Sequence, residues 1–160
     1  MLFNMKTIIC LILSAFQIFG LGGSFSIVNL EHFYSGVIFL NAYVDGKVKT
    51  YNKDSKEYDL ILEEFKYVCD NAYETPAFGV SLNAETIKAM KNDIWLELVY
   101  DKTYEHNGMP FEKLLINLMV NVGGVNLIRA YDGKYDGRCY YLNFKNCNLD
   151  NLYLIITNNF

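Results

Sequence analysis

The spacing of apolar positions changes character along this chain. From Thr7 to Leu30 there is no charged residue, and Lys6 precedes a run that holds Ile8, Ile9, Leu11, Ile12, Leu13, Phe16, Ile18 and Phe19. The run leaves through Gly20, Gly22, Gly23, Ser24 and Ser26. A basic start, an apolar stretch and a small-residue exit are the layout of a secretory signal. Residues 7–30 are also long enough to cross a bilayer of roughly 30 Å as an uncleaved anchor, with Lys6 on the short side and the bulk of the chain outside. A buried first strand or helix is the third reading. The expected division is residues 1–26 as signal peptide or membrane anchor and residues 27–160 as a single domain. Cys10 lacks the small residues that precede a lipoprotein cysteine, so no lipid anchor is expected.

Beyond the leader, residues 37–44 are rich in strand formers, and Lys47 to Tyr51 alternates after Asp45-Gly46. Two such runs around Asp-Gly predict a β-hairpin. Asp54 followed by Glu57 marks a helix start. The stripe Tyr58, Ile61, Phe65, Val68, Cys69 and Ala72 repeats at helical spacing and predicts one long helix closed by Thr75-Pro76. Asn83 opens a shorter helix to about Lys91, with Ile87 and Met90 facing inward. The period then falls to two. Residues 94–100, 114–121, 125–131 and 138–144 form four runs separated by Asn107-Gly108, Gly123-Gly124, Asp132-Gly133 and Asp136-Gly137. Short connections favour antiparallel neighbours. Leu152 to Thr157 fits either a last strand or a terminal helix. The resulting expectation is an α+β fold: an N-terminal β-hairpin and one long helix packed on a mainly antiparallel sheet of 4–6 strands, preceded by the hydrophobic leader.

Composition changes the picture little. With 160 residues, 52% hydrophobic and 20% charged, the chain is neither disordered nor a linker. A net charge of −4 argues against a nucleic-acid partner. Two histidines and four cysteines are few for a metal site. Gly-x-x-x-x-Gly-Lys, Gly-x-Gly-x-x-Gly, His-Glu-x-x-His and Cys-x-x-Cys do not occur, so neither a cofactor nor a metal is expected. No Asn-x-Ser/Thr sequon supports export. Cys139 and Cys147 are close enough in sequence to close a disulfide loop, and all three distal cysteines can equally stand reduced in a core.

His106 lies in what reads as a loop between Tyr100 and Pro110, with Glu105 and Asp101 as nearby carboxylates that could tune a general base. A dyad of Cys69 or Cys139 with His32 or His106 has no local motif behind it. Asp132 and Asp136 suggest calcium only weakly, because Lys134 and Arg138 interrupt them and Asp-Gly is ordinary turn chemistry. Tyr131, Tyr135, Tyr140 and Tyr141 cluster beside Arg129 and Arg138, the only arginines. Tyr and Arg favour contact surfaces. The expected binding surface is therefore Trp95, Arg129, Tyr131, Arg138 and Tyr140, and its partner a protein or small ligand.

Three functions fit this reading: an exported or membrane-tethered binding domain, a cytoplasmic acidic interaction protein of the inhibitor or immunity type, and a small hydrolase built on His106 and a carboxylate. The first places the protein outside the cytoplasm, with possible membrane association through residues 7–30. Fusing residues 1–30 to a reporter is expected to carry it across the membrane; retention in the cytoplasm overturns the extracytoplasmic address.

Overall fold

A computed structural model describes residues 30–76, 79–120 and 123–160. The leader lies outside the described residues. After a 3-10 turn, Leu30–Phe33, the chain forms strands β1 (Val37–Val44) and β2 (Lys47–Asn52), helix α1 (Lys56–Asp70), strands β3 (Ala72–Thr75) and β4 (Val80–Ser81), and helix α2 (Asn83–Ala89). Strands β5 (Ile94–His106), β6 (Met109–Asn117), β7 (Gly124–Ala130), β8 (Gly137–Arg138) and β9 (Tyr140–Phe144) follow, and α3 (Asp150–Asn159) ends the chain. Seven strands form one sheet in the order β2-β1-β5-β6-β7-β9-β3, and β4 pairs with β8 separately. Every ladder is antiparallel. The fold is α+β, with one strand more in the sheet than the upper end of the expected range. The segment 152–157 is helical.

The hairpins form where local chemistry allows them. Asp45 and Gly46, Asn107 and Gly108, and Asp132 and Gly133 all take positive φ between 49° and 77°. Two successive left-handed residues are the geometry of the tight turn that matches strand twist, and Asp, Asn and Gly tolerate it best. Helix α1 begins one residue later than the Asp54 signal: the Ser55 side chain accepts from Tyr58 N at 3.2 Å. It also ends earlier than Thr75. Asn71 closes it, its side-chain amide donating to Tyr67 O at 3.0 Å, and the residues up to Thr75 pair with β9 as an edge strand. In α2, Met90 at the C-cap is buried but Ile87 is exposed, because the helix stops after seven residues and turns Thr86 inward instead.

Tyr58, Ile61, Phe65, Val68 and Cys69 of α1 press on one face of the sheet, against Leu40, Leu96, Leu98, Leu114, Ile116, Leu127 and Leu142, with Leu152 and Ile156 of α3 alongside. The opposite face carries a smaller cluster of Met90, Trp95, Leu115, Ala130 and Tyr135 beneath α2. Among the described residues, no helix is long and apolar enough to cross a membrane.

One irregularity determines where the site forms. The β5–β6 register shifts between Val99 and Tyr104. A bulge kinks a strand and increases its twist, so the far end of β5 turns over the α1 side of the sheet. The 3-10 turn packs beneath it. Tyr100 Oη donates to Phe33 O at 2.6 Å. Gly36, at φ 76°, leaves room for the Tyr104 ring, where a Cβ would stand 2.7 Å from Cζ.

Phe65→Ala empties a fully buried position and is expected to cost about 3–5 kcal/mol; Tyr67→Ala, two residues on and 48% exposed on the outer face, should change stability by no more than about 0.5 kcal/mol. Urea denaturation of both variants checks the assignment of the helix face.

Candidate functional site

The residues 100–110 that read as a loop are the two arms of a hairpin, and His106 is the last residue of β5. Strand alternation sends Glu105 to the other side of the ladder from His106. Asp101 accepts from Tyr104 Oη at 3.2 Å. Neither carboxylate is the partner of His106. That partner is Glu74 of β3: His106 Nε2 and Glu74 Oε2 are 2.6 Å apart, and the pair is half-buried. Asn107 Nδ2 donates to the second oxygen, Glu74 Oε1, at 3.1 Å. The chain's other histidine arrives from the 3-10 turn. The His32 and His106 rings stack at 3.8 Å between centroids with an interplanar angle of 26°. One ligand atom from each of His32, Glu74 and His106 lies within 4.8 Å of the other two.

Apolar rings fix this cluster from below. Phe33 lies 5.4 Å from His106 and 5.0 Å from Tyr140, and Phe111 packs against both Phe33 and Tyr140. Tyr140 is completely buried. Its hydroxyl donates to Met109 O at 2.7 Å, with His106 O at 3.2 Å. Burial holds the Tyr140 phenol well above the usual tyrosine range, so it remains a donor. Arg129 completes the support: its Nη1 donates to Pro110 O at 2.9 Å and its Nε to Arg138 O at 3.0 Å. A cleft of about 430 Å³ opens over the pair, lined by Glu74, Thr75, Pro76, His106, Asn107, Met109 and Arg138.

The expected binding surface is thus divided. Arg138 lines this cleft, and Tyr140 and Arg129 hold its walls. Trp95 lies on the opposite face of the sheet, in the cluster beneath α2, because its neighbours Leu96 and Leu98 take the α1 side. Tyr131 is exposed beside the Asp132-Gly133 turn, bridged to Lys134. The pairing of candidate regions that sequence patterns kept apart, His106 on one side and Arg129, Arg138 and Tyr140 on the other, comes from the bent hairpin. Helical spacing runs over Glu74 and hides it; the sequence signal that points to it is Asn71, a residue suited to ending a helix.

The thiols belong to the framework. Cys139 and Cys147 are free and lie beyond opposite ends of β9. That strand alone covers about 13 Å at 3.3 Å per residue, whereas a disulfide requires Cα atoms within about 7 Å. The expected bridge is therefore ruled out by the strand between them. Cys147 Sγ donates to Asn71 O at 3.3 Å, and Cys139 Sγ points to Gly137 O. Burial raises all three thiols above their ordinary range, the reverse of what a nucleophile needs. Asp136 Oδ1, offered as a calcium ligand, accepts from Asn83 N at 2.7 Å and ties α2 to the 131–137 loop.

A second polar cluster sits under the opposite face. Glu97 is fully buried and accepts from Asn41 Nδ2 at 2.6 Å, Lys113 Nζ at 3.2 Å, Tyr43 Oη at 3.3 Å and the Tyr135 hydroxyl. Four donors meet two oxygens, which offsets the cost of burying a polar group in the core. It joins β1, β5, β6 and the 131–137 loop through these bonds.

Compared with known protein families, curated proteins and solved structures, the chain matches none. Fold and site by themselves define the class: an α+β domain with a donor-rich cleft at a bent hairpin tip.

Burial first, and then the Glu97 charge, raises the Tyr43 phenol to about 12 and moves Tyr135 in the same direction. The unfolded chain ionises tyrosine near pH 10, and the folded chain does not. The Tyr43 contribution is therefore fully present below pH 10 and is lost as pH rises from 10 through about 12, and that of Tyr135 declines in the same sense above pH 10. Tyr135→Phe is expected to cost about 1–3 kcal/mol at pH 7 by removing a donor from Glu97 and to flatten the alkaline decline. Denaturant titrations at pH 7, 10 and 11 measure both.

Proposed function

We propose that this chain is a small binding domain whose cleft at the β5–β6 hairpin tip takes a compact ligand bearing a carboxylate or phosphate. The observation that carries this reading is the convergence of Arg138, His106, Asn107 and Thr75 on one cleft. Glu74, the acceptor in that lining, is already engaged through both oxygens by His106 and Asn107. His106 Nε2 and Asn107 Nδ2 are likewise spent on Glu74 and on each other, so a ligand's acceptor groups would be met by the Arg138 guanidinium and the Thr75 hydroxyl. A guanidinium has five N–H donors, enough to serve the protein and a ligand together, and its fork matches a carboxylate or phosphate. Walls held by Tyr140 and Arg129 favour a preorganised site, which lowers the ordering cost of binding. The leader pattern supports an extracytoplasmic address, secreted or tethered, for this binding function.

The 2.6 Å contact between His106 and Glu74 favours a second reading, a small hydrolase. A carboxylate that orients an imidazole leaves the ring able to take a proton from water at the cleft. Here Glu74 fills the role that the sequence pattern gives to Glu105 or Asp101.

Proton–nitrogen NMR of the full-length chain, titrated with sodium phosphate and separately with acetate, is expected to move the signals of Asn107, His106 and the Arg138 side chain. Arg138→Ala should remove the response. Absence of any shift at the cleft with both anions, or an unaltered response in Arg138→Ala, overturns the binding reading. Turnover of an activated phosphate or acetate ester by the wild type but not by His106→Ala would favour the hydrolase instead.

A further inference from the structure

We propose that His32, Glu74 and His106 form a binding site for a divalent transition-metal ion of the zinc class. The inference deepens the cleft reading, since His106 and Glu74 belong to both, and it adds a residue, His32, that does not line the cleft.

Donor chemistry comes first. Two imidazole nitrogens and one carboxylate oxygen are the ligand set that borderline divalent ions favour, and three protein ligands with one open position are typical where the ion meets a small molecule. Histidine is scarce in this chain, with two among 160 residues. Both are delivered to the same carboxylate by elements far apart in sequence: a 3-10 turn, the end of β5 and an edge strand.

The geometry is close to what an ion needs. The three ligand atoms lie within 4.8 Å of one another. Metal–nitrogen and metal–oxygen bonds of about 2.0–2.2 Å place tetrahedral ligands about 3.3 Å apart. The 2.6 Å His106–Glu74 contact would open by about 0.7 Å, and a separation as wide as 4.8 Å would close by about 1.5 Å. All three residues are half-buried, so an ion would be partly screened from water yet reachable from solvent.

Ligand support is already in place. Asn107 Nδ2 holds the second oxygen of Glu74, in the way that coordinating carboxylates are steadied by an outer hydrogen bond. Tyr140 Oη anchors the backbone of His106, and Tyr100 Oη anchors the turn that carries His32. The rings of Phe33 and Tyr140 limit rotation of the His106 imidazole. An ion there would add positive charge beside Arg138 and so strengthen the preference of the cleft for anions.

The test uses the full-length chain, stripped with a chelator. The chain has only two histidines, so their ring signals in proton NMR are unambiguous. One equivalent of ZnCl2 is expected to shift both together, while MgCl2 leaves them in place. Titration with CoCl2 should give the visible absorption of a tetrahedral ion without a thiolate charge-transfer band. His32→Gln and Glu74→Gln should each weaken Co²⁺ binding by at least about tenfold, and Arg138→Ala should not. Histidine signals that do not respond to zinc, a thiolate band, or unchanged affinity in both His32→Gln and Glu74→Gln would each overturn the metal site. Because His32 is outside the cleft and Arg138 outside the ligand set, failure here with anion shifts intact removes the metal alone, and the opposite result removes the anion reading alone.

Discussion

The Tyr140 hydroxyl, donated to the carbonyls at the tip of the β5–β6 hairpin, is the contact on which the site depends. A thirteen-residue strand paired only along its length would continue the sheet into solvent. The register shift after Val99 gives β5 the freedom to bend, and a buried phenol on β9 fixes where the bend ends. Tyr140 can do this because it is sealed among Phe33, Phe111 and Leu127, so its hydroxyl has no water to compete with the carbonyls. Arg129 reinforces the same tip through Pro110 O, and Tyr100 ties the 3-10 turn to the strand it sits beneath. The result is a histidine from β5, third in the sheet order, held against a carboxylate from the edge strand β3.

The two faces of the sheet handle polar groups differently. Under α2, Glu97 is enclosed and fully supplied with donors, so it behaves as a rivet between β1, β5, β6 and the 131–137 loop. At the hairpin tip, Glu74 is also hydrogen-bonded, but its partners border a cleft. A satisfied carboxylate in a closed core stabilises and specifies packing. A satisfied carboxylate at the edge of a cavity orients a ring for contact with something else. The thiols fall on the structural side of this division, with burial raising each of them.

Much of the local structure was legible. The Asp45-Gly46, Asn107-Gly108 and Asp132-Gly133 turns follow from the tolerance of those residues for positive φ, and the α1 stripe from Tyr58 to Cys69 follows from helical spacing. Errors lay at boundaries and in short strands. Ala72 continues the apolar stripe past Asn71, so helical spacing hides Glu74 on an edge strand of four residues. The arms around His106 read as loop because Asp101, Lys102, Thr103 and Glu105 are polar; they are solvent-facing positions of a twisted hairpin, where polarity says nothing against a strand. The Cys139–Cys147 loop looked short in sequence, but an extended strand separates its ends.

The chain by itself determined its turns, its amphipathic helix, its antiparallel character and the aromatic and arginine enrichment near residues 129–141, because each is decided by interactions within a few residues. Only the tertiary structure decided that His32, Glu74 and His106 meet, that Trp95 and Tyr140 lie on opposite faces, and that Arg138 opens on the same cleft as His106. Those outcomes depend on the curvature of a seven-stranded sheet and the register of its ladders. They are summed over many contacts between distant segments, and no local spacing of residues encodes that sum.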